Sequence, residues 1–107
     1  MNKITYEQRV RTYTNALNHY GEENQLTVAL EELSECQKEI CKFLRGYGNA
    51  GHLAEEVADA MIMLEQVVNI FGIDEMVAQE MVRKIERLDN RLKGVVADER
   101  RGALEQQ

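Results

Sequence analysis

Glycines divide this chain into four segments of helical character. Gly21, Gly46 and Gly72 each follow a stretch in which apolar side chains recur every three or four positions, and Gly94 follows a fourth such stretch. Glycine is the commonest residue just past the end of a helix, because it adopts a left-handed backbone without strain. Proline is absent, and Ala, Leu, Glu, Lys, Arg and Met are frequent. The sequence therefore predicts an all-α protein.

Capping residues set the predicted bounds of the four helices. Thr5 and Gln8 have the form of a capping box, and Asn24 and Asp74 are predicted to cap the second and fourth helices. The second helix is predicted to turn an aliphatic stripe inward. The predicted helices are Thr5–Tyr20, Asn24–Arg45, Gly51–Phe71 and Asp74–Lys93, and the predicted inward stripe is Leu26, Leu30, Leu33, Ile40, Cys41 and Leu44.

A single helical domain is predicted for residues 1–94, with a flexible tail at residues 95–107. Residues 46–51 are rich in glycine but follow no strand, so we interpret them as a connector that makes helices two and three a central antiparallel hairpin. The third helix is apolar over much of its circumference, which is typical of a helix that is central or packs against a second copy. We therefore expect a homodimer or homotetramer.

Composition excludes several functional classes. The formal charge of -6 argues against a partner bound through nucleic-acid phosphates. Cys36 and Cys41 lie on one predicted helix and point well apart, so reduced thiols in a cytoplasmic protein are the better interpretation. No apolar run is long enough to span a membrane, and the polar N-terminal residues do not resemble a signal peptide.

Two pairs of acidic residues on adjacent helices are the strongest indication of function. Glu32 and Glu35, and likewise Glu56 and Asp59, are three residues apart, so each pair lies on one face within a single helical turn. Carboxylates that converge repel one another and raise each other's pKa unless a cation lies between them. Hard oxygen ligands favour Mg²⁺, Mn²⁺ or Ca²⁺. The alternative is that each pair simply faces solvent.

The motif that these residues form resembles a known family. Glu31-Glu32-Leu33-Ser34-Glu35, followed after twenty residues by Glu56-Val57-Ala58-Asp59, is similar to the EExxE…ExxD pattern of the MazG-like nucleotide pyrophosphohydrolases, in the all-α NTP pyrophosphatase superfamily. The resemblance covers about residues 13–94. It implies a four-helix MazG-like fold and hydrolysis of a (deoxy)nucleoside triphosphate to the monophosphate and pyrophosphate. It also implies that Glu32, Glu35, Glu56 and Asp59 bind Mg²⁺, with Mn²⁺ as the alternative.

Two further roles complete the predicted site. Glu31 and Glu35 are the predicted catalytic carboxylates, although by position Glu39 could orient the attacking water as well as Glu31 could. Lys84, Arg87 and Arg91, with Arg83 on the same ridge of the fourth helix, are predicted to bind substrate phosphates. For these basic residues the alternative is a solvated face paired with neighbouring acids. Those acids are Glu80, Glu86 and Asp89.

Two other functional classes stay open on the sequence. A non-catalytic helical interaction or regulatory protein could keep the same fold. A di-iron carboxylate bundle is the weaker alternative, because such sites use Glu-x-x-His pairs. Here the residues three positions before His19 and His52 are Ala16 and Asn49.

Overall fold

The prediction of an all-α protein is confirmed by a computed structural model that describes residues 3–105. The described residues form four helices and no strand. The chain divides into two compact units between Gly72 and Ile73. The helices are α1 (Tyr6–Tyr20), α2 (Glu22–Leu44), α3 (Ala50–Phe71) and α4 (Asp74–Glu105).

A glycine corner joins α1 to α2. The predicted capping box is confirmed at the start of α1, where the Thr5 hydroxyl accepts from the Gln8 N–H and the Gln8 side chain accepts from the Thr5 N–H. Gly21 has φ 88° and ψ 159°, a conformation essentially closed to other residues, and it caps both helices. The prediction that Asn24 caps α2 is wrong: α2 begins at Glu22, because Gly21 allows the chain to re-enter a helix at once.

The loop of residues 45–49 joins α2 to α3 in a tight hairpin, as its composition predicts. A Cβ on Gly48 would overlap the Phe43 ring, so only glycine lets the loop backbone pass beneath that ring. Asn49 then starts α3, since its side-chain oxygen accepts from the His52 N–H at 3.0 Å. Because the loop is short, the two consecutive helices run antiparallel and form the most extensive helix pairing of the first unit.

The α2–α3 seam is built from two matching stripes of buried and half-buried residues. Each stripe alternates spacings of three and four residues, which keeps it facing the neighbouring helix. Glu32, Glu39 and Glu56 lie within this seam, where apolar side chains are the usual occupants. The α2 stripe is Gln25, Ala29, Glu32, Cys36 and Glu39, and the α3 stripe is Leu53, Glu56, Ala60, Met63, Val67 and Ile70.

The aliphatic stripe of α2 lies outside the hairpin, so its predicted inward orientation is wrong. Leu30 is 71% exposed and Leu44 is 84% exposed, and Leu33, Ile40 and Cys41 are exposed as well. The stripe is displaced by one residue from the α2–α3 seam, and one residue turns a helix by about 100°. A helical wheel shows both stripes but cannot tell which of them contacts α3.

The corresponding positions on α3 extend this surface. Met61, Leu64 and Phe71 are exposed and lie one residue after seam positions, as Leu30 and Leu33 do on α2. In antiparallel helices the same rotation turns both stripes to the same side of the hairpin. We call this surface the outer apolar face. Its members, all exposed, are Leu30, Leu33, Ile40 and Leu44 of α2 and Met61, Leu64 and Phe71 of α3.

A polar contact holds α1 against α3. One oxygen of Glu65 accepts from the Tyr13 hydroxyl at 2.8 Å and from Arg9 Nε at 2.9 Å. Tyr13 is buried, and this burial, with the hydrogen bond to Glu65, raises the pKa of its phenol to about 12. The phenol therefore stays protonated and donates to Glu65 throughout the physiological range. The sequence did not indicate this contact, which joins residues far apart in the chain.

The second unit contains α4, a helix longer than predicted. The prediction that it ends near Lys93 is wrong, because the helix continues through Gly94 to Glu105. An internal glycine costs a helix only about 1 kcal/mol, and the residues after it include good helix formers. Flexibility of residues 95–107 stays a prediction, and Gln106 and Gln107 lie outside the described residues. None of the helices within residues 3–105 combines the length and hydropathy needed to cross a membrane.

Candidate metal centre

Three of the four predicted metal ligands converge between α2 and α3. Glu32, Glu56 and Asp59 each offer a carboxylate oxygen, and these oxygens all lie within 4.8 Å of one another. Glu32 and Glu56 are half-buried in the α2–α3 seam, whereas Asp59 is exposed. The site therefore has two enclosed carboxylates and one that opens to solvent.

The fourth predicted ligand lies at the edge of this group. Glu35 is exposed, and its carboxylate is 3.7 Å from Lys38 Nζ, one helical turn further along α2. It is still close enough for its negative charge to raise the pKa of both Glu32 and Glu56. Glu31, the other predicted catalytic carboxylate, is also exposed, and its charge raises the pKa of Glu32. Both residues therefore border the three-carboxylate group without belonging to it.

Glu39 is more closely involved than the sequence indicated. Its side chain is only 12% exposed, and one of its oxygens accepts from Lys42 Nζ at 2.8 Å. The other oxygen, Oε2, is enclosed and has no hydrogen-bond partner, and the same is true of Glu56 Oε2. Buried polar atoms without a partner are uncommon and destabilising. The position of Glu39 in the 4-3 pattern of the α2–α3 seam is the sequence signal that could have found it.

Burial and mutual repulsion shift the ionisation of the two seam carboxylates. The pKa of Glu32 is raised first by burial and then by the charges of Asp59, Glu35 and Glu31. The pKa of Glu56 is raised first by burial and then by the charges of Asp59, Glu32, Glu35 and Glu39. Each group would be stabilised as an anion by a nearby cation. In the metal-free chain the cluster instead opposes folding.

The donor set and its spacing fit a hard divalent cation. Oxygens bound to Mg²⁺ at about 2.1 Å can be at most about 4.2 Å apart, and those bound to Ca²⁺ at about 2.5 Å can be about 5 Å apart. The three carboxylate oxygens, within 4.8 Å of one another, need only small side-chain rotations to bind Mg²⁺. All three donors are carboxylates, which excludes the thiolate and imidazole sets typical of zinc sites.

The raised pKa values predict how pH affects stability. A group whose pKa is higher in the folded than in the unfolded chain contributes stability below its unfolded pKa, about 4.3 for Glu, and loses that contribution as pH rises through the folded pKa. We therefore expect the melting temperature of the metal-free protein, relative to that of Glu56→Gln, to fall as pH rises above the unfolded pKa of about 4.3. Thermal unfolding in EDTA measures this difference. Parallel pH curves for the two proteins would contradict it.

The predicted phosphate-binding residues lie on α4, in the second unit. Lys84, Arg87 and Arg91 are all exposed. Their neighbour Arg83 forms an ion pair with Glu80, and the shortest nitrogen–oxygen distance is 2.6 Å. For Arg83 this agrees with the alternative prediction, a solvated face paired with neighbouring acids. The hydrogen bond from Arg83 lowers the pKa of Glu80 most, and the charges of Arg83, Lys84 and Arg87 lower it further. A role for Lys84, Arg87 and Arg91 in phosphate binding stays a prediction.

Comparison with known proteins does not assign a function. The chain matches no family among known protein families, no curated protein and no solved structure. The arrangement of the carboxylates is therefore the best indication of function in the described residues. That arrangement is unusual for a helical hairpin, since Glu32 and Glu56 lie in its seam rather than on its solvent face.

Proposed function

We propose that this protein is a Mg²⁺-dependent nucleoside triphosphate pyrophosphohydrolase. The observation that carries the proposal is the convergence of Glu32, Glu56 and Asp59 in and beside the α2–α3 seam. Carboxylates placed there destabilise the fold unless a cation is bound, so their position is better explained by function than by packing. Glu32, Glu56 and Asp59 hold Mg²⁺ or Mn²⁺, and Glu35 is placed to join them.

A polyphosphate substrate suits such a site. Bare carboxylates repel a triphosphate, and a bound Mg²⁺ supplies the positive charge that offsets this repulsion and polarises the phosphoryl group. Asp59 and Glu35 are exposed, so the site is open to a ligand on one side. The resemblance of the EExxE…ExxD motif to that of the MazG-like family supports cleavage to a monophosphate and pyrophosphate.

The remaining carboxylates are the candidates for the general base. Glu31 is exposed beside the cluster and free of any described ion pair, so it can orient or deprotonate water. Glu39 is only 12% exposed and is paired with Lys42, so it is poorly placed to exchange protons with solvent. We therefore assign the base to Glu31, with Glu35 beside it.

The outer apolar face supports self-association. Its residues lie one position after the α2–α3 seam, whereas Glu31, Glu35 and Asp59 lie one position before it, so the acidic and apolar sides of the hairpin are opposite. A continuous apolar surface on a helical hairpin is typical of an interface between subunits. We propose a homodimer or homotetramer that covers this face. A single-chain mass by light scattering at working concentrations would contradict that assembly.

A pyrophosphate-release assay tests the proposed activity. The eight common ribo- and deoxyribonucleoside triphosphates are incubated with the protein, with Mg²⁺ or with EDTA. We expect pyrophosphate and the monophosphate from at least one substrate, and only when Mg²⁺ is present. Absence of hydrolysis across the set, together with no thermal stabilisation by Mg²⁺, would favour the non-catalytic interaction protein.

A further inference from the structure

The apolar residues of α4 follow a strict coiled-coil pattern. Spacings of three and four residues alternate without interruption from position 78 to position 95, which places one apolar residue at every a and d position of the heptad. All of these residues are exposed. The a positions are Ala78, Ile85 and Leu92, and the d positions are Met81, Leu88 and Val95.

The residues that flank this α4 seam favour one relative direction of two paired α4 helices. In a parallel pair of helices, each g residue faces the e residue five positions further along the partner helix. In α4 this rule places Lys84 opposite Asp89 of the partner subunit, an attractive pair that occurs twice by symmetry. It also places Val77 opposite Val82 of the partner subunit, so an apolar pair extends the seam.

An antiparallel pairing is disfavoured by the same residues. Antiparallel helices bring g positions opposite g positions, so Lys84 would face Arg91 of the partner subunit, again twice. Like charges in these flanking positions are a common way in which coiled coils reject an orientation. Ile85 at an a position and Leu88 at a d position are moreover the combination that favours two parallel strands.

The other charges of α4 do not interfere with this seam. Arg83 pairs with Glu80, and both lie on the outer side of the helix. Lys93, also on the outer side, pairs at 2.8 Å with Asp89, which flanks the seam. A carboxylate can accept hydrogen bonds from two donors, so Asp89 can keep Lys93 and still face a lysine across the seam. The outer face of α4 thus stays charged while its seam is apolar.

We propose that α4 pairs in parallel and in register with α4 of a second copy of this chain. The occupant is a second copy because the flanking charges are complementary to themselves in this one arrangement. The proposal concerns α4 alone and does not depend on the metal centre or on hydrolysis. It places the N-terminal ends of the two α4 helices together.

Site-directed crosslinking of the full chain tests the orientation. In a chain whose Cys36 and Cys41 are replaced by Ser, Leu88→Cys puts a thiol at a d position, and Asn90→Cys puts one at the outward f position as the matched control. Paired d positions bring two sulfurs together, so we expect Leu88→Cys to form disulfide-linked dimers roughly 100-fold faster than the control. Equal rates, or no dimer from Leu88→Cys, would overturn the proposal. The second result would indicate that the α4 seam packs within one chain.

A charge exchange provides an independent measurement that leaves the apolar seam intact. Lys84→Glu places Glu opposite Asp89 of the partner subunit in the parallel pair, so we expect slower crosslinking through Leu88→Cys. The double variant Lys84→Glu/Asp89→Lys restores an attractive pair, and we expect it to recover the original rate. If Lys84→Glu instead accelerates association, the helices are antiparallel, because Glu would then face Arg91 of the partner subunit. That result would refute the parallel pairing.

Discussion

Glu56→Gln is expected to lower Mg²⁺-dependent pyrophosphate release by roughly 1,000-fold while raising the melting temperature of the metal-free protein. The loss of activity follows from the removal of an anionic ligand at the centre of the carboxylate group. The gain in stability follows from the removal of a half-buried charge that Asp59, Glu32, Glu35 and Glu39 all repel. A Gln amide can also donate hydrogen bonds to the neighbouring carboxylates.

The opposite signs of these two effects make the experiment decisive. An inactive variant that melts at a higher temperature cannot be inactive because it is unfolded. Glu55→Gln is the matched control, since it neutralises the adjacent exposed carboxylate outside the cluster and should change neither property substantially. Hydrolysis by Glu56→Gln at the rate of the parent protein would show that Glu56 is not a metal ligand. A lower melting temperature in EDTA would show that its charge does not oppose folding.

Gly21→Ala is expected to lower the stability of the folded chain through backbone strain alone. Gly21 has φ 88° and ψ 159°, and an alanine held there would be strained by about 1–3 kcal/mol. For a protein of this size each kcal/mol lowers the melting temperature by about 4–8 °C. No heavy atom lies within 4 Å of the added Cβ, so the expected cost comes from the backbone conformation and not from a steric clash.

Gly94→Ala is the control for Gly21→Ala. Gly94 lies inside α4, and a Cβ there would also meet nothing within 4 Å. Alanine in a helix interior is favoured over glycine by about 0.5–1 kcal/mol, so Gly94→Ala should raise the stability of α4. Thermal unfolding followed by circular dichroism measures both variants. Equal melting temperatures for Gly21→Ala and the parent would mean that the corner between α1 and α2 does not require a left-handed residue.

The local features of the fold could be predicted from the sequence because they depend on neighbouring residues. The capping box at Thr5 and the glycines that end α1, α2 and α3 involve contacts within one helical turn. The predicted helix bounds were wrong where nearby residues favoured a different start or end of the helix. Asn24 is a good capping residue, but Gly21 already allows α2 to begin two residues before it. Gly94 resembles a helix end, yet the helix formers that follow it continue α4.

The sequence by itself determined that the chain is helical and that two acidic turns belong to adjacent helices, because residue spacing sets both. Only the tertiary structure decided which stripe of α2 contacts α3. That stripe holds Glu32 and Glu39, while the aliphatic one remains outside. Two stripes one residue apart have the same period, so periodicity cannot show which of them faces α3. The packing of the two antiparallel helices decides which stripe is buried. It brings the carboxylate of Glu32 on α2 close to those of Glu56 and Asp59 on α3.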